Sequence, residues 1–428
     1  MPQNTSQQTQ GFSRLGIAPV FLETLAKLGY KNPTPIQQQA IPAAIQGKDV
    51  VGIAQTGTGK TFAYGIPMLQ RLAQVKGRGL VVLPTRELAA QVDDALRQIG
   101  AKVGLRTAVL IGGASMRPQL QALKRNPHVI IATPGRLNDH LQQKTVRLDN
   151  VQVVVLDEAD RMLDMGFAPQ IQKIFRTIPR RRQTMLFSAT MPPEIMKMAT
   201  AYMQLPIRIE VAPAGSLVER VTQELFVVQR EEKIRLTEKL LQQYLGSTLI
   251  FTRTKHGAKK LTQEIRAMGH AAAELHADRS LNQRREALEG FKAGKYRVLV
   301  ATDIASRGID VVGIELVLNF DLPENAEDYV HRIGRTARAG AGGHAISLLT
   351  SDQGKELREI EHLTKQRLPI SKLPELPPAR APKFAPRVHA APSRFPARPS
   401  SGGARPRRPY QTRPGSSGSF SRYRMRRR

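Results

Sequence analysis

The sequence predicts an α/β protein of two tandem parallel-sheet domains, 1–214 and 215–368, followed by a disordered basic tail over 369–428. Three observations carry this reading. Short Val/Ile/Leu runs recur from residue 49 onward, separated by segments of helical length, which is the βαβ rhythm of a parallel sheet. At 428 residues the chain exceeds one ordinary core, since domains run to about 50–250 residues. The charge is also uneven. Of a net +30, residues 371–428 hold fifteen Lys and Arg against the single acid Glu375.

Along the chain, the first half offers the strands DVVGIA, GLVVLP, HVIIATP, VQVVVLD and QTMLFSAT. The second half offers TLIFT, RVLVATD, ELVLNFD and HAISLLT. Runs this uniformly apolar suit strands buried on both faces, so each half reads as a sheet between helices. Between the halves EVAPAGSLVER, 210–220, loses periodicity and carries Pro213 and Gly215, as a linker does. The tail contains eleven prolines after residue 370 and many Ser and Gly, a composition that cannot bury a core. Its arginines can neutralise phosphates while Phe384, Phe395, Tyr410, Phe420 and Tyr423 stack on exposed bases, so the charge points to a nucleic-acid partner. A purely solubilising tail is the alternative.

Composition excludes other classes. With no cysteine there is no disulfide framework and no thiolate metal site. Met1 to Gln10 is polar and glutamine-rich, without a leader pattern, and no stretch approaches the ~18–20 apolar residues that span a bilayer. The expectation is a soluble, cytoplasmic protein that does not engage membranes. No oligomerisation element is visible, so a monomer is expected.

The chemistry begins at AQTGTGKT, residues 54–61, followed 97 residues after its lysine by the acids of VVVLDEAD, 153–160. Ala54, Gln55, Thr56, Gly57, Thr58 and Gly59 form a loop whose glycines let backbone N–H groups approach phosphate oxygens. Lys60 reaches the outer phosphates, and the Thr61 hydroxyl can join an Mg²⁺ shell. An apolar strand delivers Asp157 and Glu158 to its carboxyl end, where one carboxylate can hold Mg²⁺ and its neighbour can orient and deprotonate a water. Ala54 replaces the first glycine of the strict pattern, a difference of one methyl. Together the two motifs predict an ATPase. Only the first half has a phosphate loop, so the second half reads as a partner lobe.

Ten motifs follow in order: GYKNPTPIQ at 29–37, AQTGTGKT, PTREL at 84–88, Gly112-Gly113, TPGR at 133–136, DEAD at 157–160, SAT at 188–190, LIFTRT at 249–254, ATDIASRGID at 301–310 and HRIGRTAR at 331–338. The set resembles that of the DEAD-box RNA helicases of superfamily 2, over about residues 12–350. DRMLDMGF at 160–167 and the arginine-rich tail resemble the bacterial RhlE-type branch. The resemblance implies two RecA-like domains, ATP and Mg²⁺ as cofactors, and RNA-stimulated ATP hydrolysis coupled to local separation of short RNA duplexes.

It also implies roles. Gln37 would read the adenine edge, Phe12 stack on the base, Asp310 contact ribose, and Arg335 and Arg338 act as arginine fingers completing the catalytic set of Lys60, Asp157 and Glu158. RNA would lie on Pro84, Thr85, Arg86, Gly112, Gly113, Thr133, Pro134, Gly135 and Arg136 of the first lobe, and Thr252, Arg284, Thr302 and Gly308 of the second. Hydroxyls, glycine amides and arginines follow a sugar-phosphate track without a base code. Ser188 and Thr190 would couple hydrolysis to RNA through hydrogen bonds to the DEAD acids. Because the fingers lie across a linker from the phosphate loop, hydrolysis needs lobe closure, which RNA across both lobes would favour.

The chain departs from the family pattern at Leu281, where a glutamine usually stands three residues before Arg284, and at Ala277, usually glycine. Two other readings stay open. One is an ATP-regulated RNA clamp or annealing chaperone, which the tail suits, and the other is a DNA translocase of a related superfamily. Ribosomal-precursor or RNA-decay complexes are the expected settings.

Overall fold

The computed structural model describes residues 11–55, 57–211, 221–303, 311, 313–336 and 342–378. Thr56, Gly308, Asp310, Arg338, most of the linker and the tail beyond 378 lie outside the described residues.

Two parallel sheets carry the molecule, as the apolar runs predict. The first comprises β1 (Val50–Ile53), β2 (Arg78–Val82), β3 (Thr107–Leu110), β4 (Val129–Ala132), β5 (Val151–Leu156), β6 (Gln183–Ser188) and β7 (Ile207–Glu210), in the order β3-β4-β2-β5-β6-β1-β7. The second comprises β8 (Val221–Val227), β9 (Thr248–Phe251), β10 (Ala272–Leu275), β11 (Val298–Ala301), β12 (Leu316–Asn319) and β13 (Gly343–Leu349), in the order β10-β11-β9-β12-β13-β8. Every paired strand is parallel, and helices cover both faces. On β5 the period of two is explicit: Val153 and Val155 enter one core cluster, and Val154 and Leu156 enter the other. Both sheets belong to one compact unit.

Four strands escape the sequence reading. β3 is half-buried, β7 is an edge strand that pairs only with β1, β8 carries Gln223 and Glu224, and β10 is AAEL, with two alanines and a buried glutamate. None is an uninterrupted Val/Ile/Leu run. The tail also begins later than its composition suggests. Leu225 exchanges backbone hydrogen bonds with the segment after the last helix, its N–H donating to Pro369 O (3.0 Å) and its carbonyl accepting from Ser371 N (2.8 Å). Arg235 Nε then donates to Pro377 O at 2.6 Å. Residues 369–378 therefore cover the β8 edge of the second sheet, which would otherwise present unpaired backbone groups. Among the described residues no helix is long and apolar enough to cross a membrane.

Candidate nucleotide site and nucleic-acid track

Strand order divides the working loops. In the first sheet, β3, β4 and β2 are neighbours, and their carboxyl ends lead to Gly112-Gly113, Thr133–Arg136 and Pro84–Arg86. The next neighbours, β5, β6 and β1, lead to Asp157, Ser188 and the phosphate loop. One half of the edge thus carries the expected RNA residues and the other half the expected ATP residues. The second sheet repeats the division, with β10, β11 and β9 leading to Arg284, Thr302 and Thr252, and β12 leading to the helix Ala326–Ile333 that precedes Arg335.

The phosphate loop ends at Gly59, whose φ of 88° an L side chain rarely adopts and whose Cβ position would collide with Gln37. Lys60 opens the helix Lys60–Gln74, with Thr61 behind it. The Lys60 ammonium is buried, lies 3.9 Å from Asp157 Oδ1, and has no hydrogen-bond partner among the described residues. A buried ammonium in that state fits an anion it is built to receive. Thr58 Oγ1 ties the loop by donating to Gln55 O at 2.7 Å.

Gln37 joins this loop to its own helix. It closes a capping box with Thr34 at the start of Pro35–Ile45, its Oε1 accepting from Thr34 N (2.9 Å), while Nε2 donates to Gly59 O (3.0 Å). One N–H and one lone pair of the amide remain for an adenine edge. Phe12 lies in the first lobe's core cluster, 5% exposed, so most of its ring is committed to packing.

Asp157 leaves β5 with its backbone N–H bonded to Val82 O at 3.1 Å. Its Oδ1 accepts from Glu158 N (2.9 Å) and its Oδ2 from Tyr64 Oη (3.0 Å). Burial, opposed by Lys60 and reinforced by Glu158, pushes the carboxyl up to about 6. Tyr64 carries no motif letter and was missed by the sequence reading, although it stands three residues after Thr61 on one helix face. Burial and then the Asp157 charge push its phenol well above the ordinary range, so it remains a donor. Glu158 adopts left-handed backbone (φ 52°, ψ 51°), a conformation that costs a non-glycine residue about 1 kcal/mol or more. Its Oε2 lies 3.6 Å from Arg161 Nε, with both side chains buried.

Ser188 and Thr190 meet the third acid of the motif. Ser188 Oγ accepts from Asp160 N at 3.3 Å, and Asp160 Oδ2 accepts from Ala189 N (3.0 Å), Thr190 N (2.9 Å) and Thr190 Oγ1 (3.1 Å). Neither residue caps the following helix, whose N-cap is Pro192.

The second lobe brings a basic face to this cluster. A small cavity is lined by Arg161 of the first lobe and by Phe251, Asp303, Asp328, His331, Arg332 and Arg335 of the second. Gln55 Oε1 faces Gly334, 4.0 Å from where a Cβ would stand. Arg335 is 2% exposed. Burial, with the nearby charges of Arg161 and Arg335, holds His331 well below its ordinary value near 6.5, while Asp160 opposes that shift. Every nitrogen of the Arg332 guanidinium donates within its own lobe: Nε and Nη2 donate to Asp303 (2.6 and 2.7 Å), and Nη1 donates to Asn319 Oδ1 (3.1 Å) and Asp321 O (2.6 Å). Its guanidinium also lies over the Phe251 ring at 4.9 Å. Sequence reasoning assigned no role to Arg161, His331 or Arg332.

Along the expected RNA track, Thr85 caps the helix Arg86–Gly100 by accepting from Leu88 N at 3.3 Å, and Pro84 is buried behind it. Gly113 has a φ of 68° and its Cβ position is filled by the Arg86 guanidinium. Gln119 holds the Gly112-Gly113 loop from beneath, bonding both N–H and carbonyl of Ile111 (3.2 and 3.1 Å) and lying 3.3 Å from His140 Nε2. Arg136 Nη1 donates to Ala114 O at 3.0 Å, while Thr133 and Pro134 start the helix Pro134–Gln142 and Gly135 faces open space. In the second lobe Thr252 is buried, its Oγ1 donating to Thr254 O at 3.3 Å, and Thr302 N donates to Leu275 O at 3.2 Å. Arg284 also reaches across to the other lobe. Its Nη2 lies 2.9 Å from Glu87 Oε2 of the first lobe.

Comparison with known proteins agrees with this geometry. Residues 34–198 match the model of the DEAD/DEAH box helicase family, and residues 232–340 match the helicase conserved C-terminal domain. The DEAD-box ATP-dependent RNA helicase CshA of Bacillus cereus is 42% identical over 368 residues, covering 85% of this chain and 70% of that protein. The ATP-dependent rRNA helicase RRP3 of Meyerozyma guilliermondii is 41% identical over 370 residues, covering 86% and 78%. Among solved structures, Saccharomyces cerevisiae Dbp5 bound to RNA and ADP BeF3 superposes with a TM-score of 0.76 at 28% identity, over 84% of this chain and 95% of that one. A DEAD box protein from Methanococcus jannaschii is 37% identical over 85% and 99%, yet its TM-score is 0.52.

Proposed function

The chain belongs to the DEAD-box ATP-dependent RNA helicases, and from that premise we propose how its own residues divide the work. Lys60 and the amides of 54–61 hold the ATP phosphates, and Gln37 ties adenine recognition to the same loop. Thr61 and Asp157 are the residues for Mg²⁺, whose chemistry is to draw charge from the phosphate oxygens. Burial without a second cation leaves Asp157 with a raised pKa, and a divalent ion beside it would hold it ionised. Tyr64 fixes one lone pair of that carboxylate. Glu158, held by its left-handed backbone at the end of β5, orients the attacking water and takes its proton. Arg335, joined by Arg338, neutralises charge on the transferring phosphoryl group.

RNA then lies over Arg86, Gly112, Gly113, Thr133 to Arg136, Thr252 and Thr302, and Asp160 with Ser188 and Thr190 links that half of the edge to the ATP half. The observation that carries the reading is the buried Lys60 ammonium, without a hydrogen-bond partner among the described residues and set opposite Asp157. The DRMLDMGF run and the basic tail support the RhlE-type branch, and similarity to an rRNA helicase supports a ribosomal-precursor substrate. A cytoplasmic monomer is the accompanying assignment.

The test compares ATP hydrolysis with and without single-stranded RNA, for wild type and Glu158→Gln, alongside release of a short duplex. RNA-stimulated turnover lost in the mutant, with duplex release in the wild type, is the expected result. Turnover without duplex release would replace strand separation by the clamp or annealing reading, and equal stimulation by DNA of the same sequence would remove the RNA preference.

A further inference from the structure

Leu281 stands where the resemblance leads one to expect glutamine, and the structure gives it an occupation glutamine could not share. It opens the helix Leu281–Lys292 of the second lobe, is half-buried, and packs against the hydrophobic core cluster of the first lobe. Gln283 caps its own helix instead: its side-chain Oε1 accepts from Ser280 N at 3.0 Å and its backbone N–H donates to Ser280 Oγ at 3.3 Å. One turn along the same helix, Arg284 reaches Glu87 of the first lobe, with side chains 10% and 8% exposed. Glu87 stands in the first turn of the helix that begins at Arg86, beside the expected RNA track.

We propose that Leu281 is a positioning residue that adds an apolar contact to the docking of the second lobe on the first. Glutamine at this position would remain hydrated when the lobes part and gain little when they meet. Leucine exposes apolar surface when they part, so water itself favours docking, and added salt does not screen that contribution. The protein thereby supplies part of the closure free energy that RNA must otherwise provide. Less RNA suffices to assemble the site, whereas the assembled site, once saturated, is unchanged. The ligand dependence rests on the helicase assignment; the docking itself does not.

The absence of native cysteines allows one exposed cysteine per lobe to be introduced and dye-labelled, so that the interlobe distance is read directly in the full chain. At sub-saturating RNA with a non-hydrolysable ATP analogue, the wild type should populate the docked distance, and Leu281→Gln should lower the docked-to-undocked ratio roughly three- to tenfold, in proportion to the apolar area lost. The RNA concentration for half-maximal ATPase should rise by a similar factor, with kcat at saturating RNA and Tm unchanged. Leu281→Ala should lie between. A variant whose docked fraction or RNA half-saturation matches the wild type overturns the proposal. So does a fall in kcat and Tm without a change in half-saturation, which would make Leu281 merely structural. Absence of RNA-stimulated turnover in the wild type would instead count against the helicase reading and leave the distance measurement standing.

Discussion

The two lobes arrange their working loops on neighbouring strands in the same way, but they partner their buried charges differently. In the first lobe Lys60, Asp157, Glu158, Asp160 and Arg161 are each no more than 6% exposed. Of these, Lys60 lacks a hydrogen bond among the described residues and Asp157 is pushed up to about 6. In the second lobe Arg332, equally buried, has four hydrogen bonds and a ring beneath it. The Lys60–Asp157 pair is thus left for a ligand to complete, while the Arg332 network closes within its own lobe. That suits a binding lobe and a presenting lobe: the rigid Arg332 anchor holds the turn on which Arg335 sits, and Arg335 is delivered by moving the whole lobe.

Arg335→Ala should strike this comparison hardest. It removes the presented charge and leaves the binding lobe untouched, so turnover should fall by about 10³ or more while ATP affinity changes little. Turnover and nucleotide affinity falling together would mean that Arg335 acts in binding, and the division between the lobes would be lost. Arg332→Leu tests the anchor. Breaking this network leaves Asp303 and Asn319 facing an apolar chain, and the second lobe should lose about 3 kcal/mol in denaturant unfolding. The first lobe's transition should not move; a shift of both transitions would show that the anchor stabilises the contact between lobes and not its own lobe.

The same contrast explains what could be read from the sequence. Loops that must hold a ligand draw on a small set of residue types in fixed order, so the phosphate loop, the acids and the strand ends were legible together with the parallel sheets. Support residues are chosen by packing and carry no such signature. Tyr64 reads as one more apolar helix position, Gln119 and His140 as ordinary polar residues, and Arg332 as a third basic residue beside Arg335 and Arg338. The strands β3, β7, β8 and β10 were missed because half-buried or edge positions admit Thr, Arg, Glu and Ala, and the apolar-run criterion sees only strands buried on both faces. Arg284 was placed on RNA because its motif position indicates a phosphate contact. Its pairing with Glu87 is a contact between lobes that no local pattern encodes.

Tyr64→Phe sharpens the comparison within the first lobe. Among the described residues the phenol donates the only side-chain hydrogen bond to Asp157, and charge-assisted bonds of this kind contribute about 1.5–3 kcal/mol. Turnover at saturating ATP and RNA should fall roughly tenfold, with more Mg²⁺ needed for half-maximal activity. An unchanged Mg²⁺ requirement would leave Tyr64 as a packing residue against Phe187, whose ring lies 5.4 Å away.

Glu87→Gln should have the smallest effect and separates the two halves of the interlobe contact. The substitution keeps the shape of the side chain and removes its charge, so Arg284 stays buried beside a neutral acceptor and beside the positive Arg86 that already opposes it. Docking should weaken about threefold, within the range expected for one partly buried ion pair. Unlike the loss expected for Leu281→Gln, this one should shrink as salt rises from 0.05 to 0.5 M, roughly the range over which screening shortens from more than 10 Å to a few ångströms. RNA half-saturation measured for both variants across that range gives the answer. A salt-independent loss in Glu87→Gln would mean that the pair acts by shape alone, and that the basic second lobe meets the first through packing rather than charge.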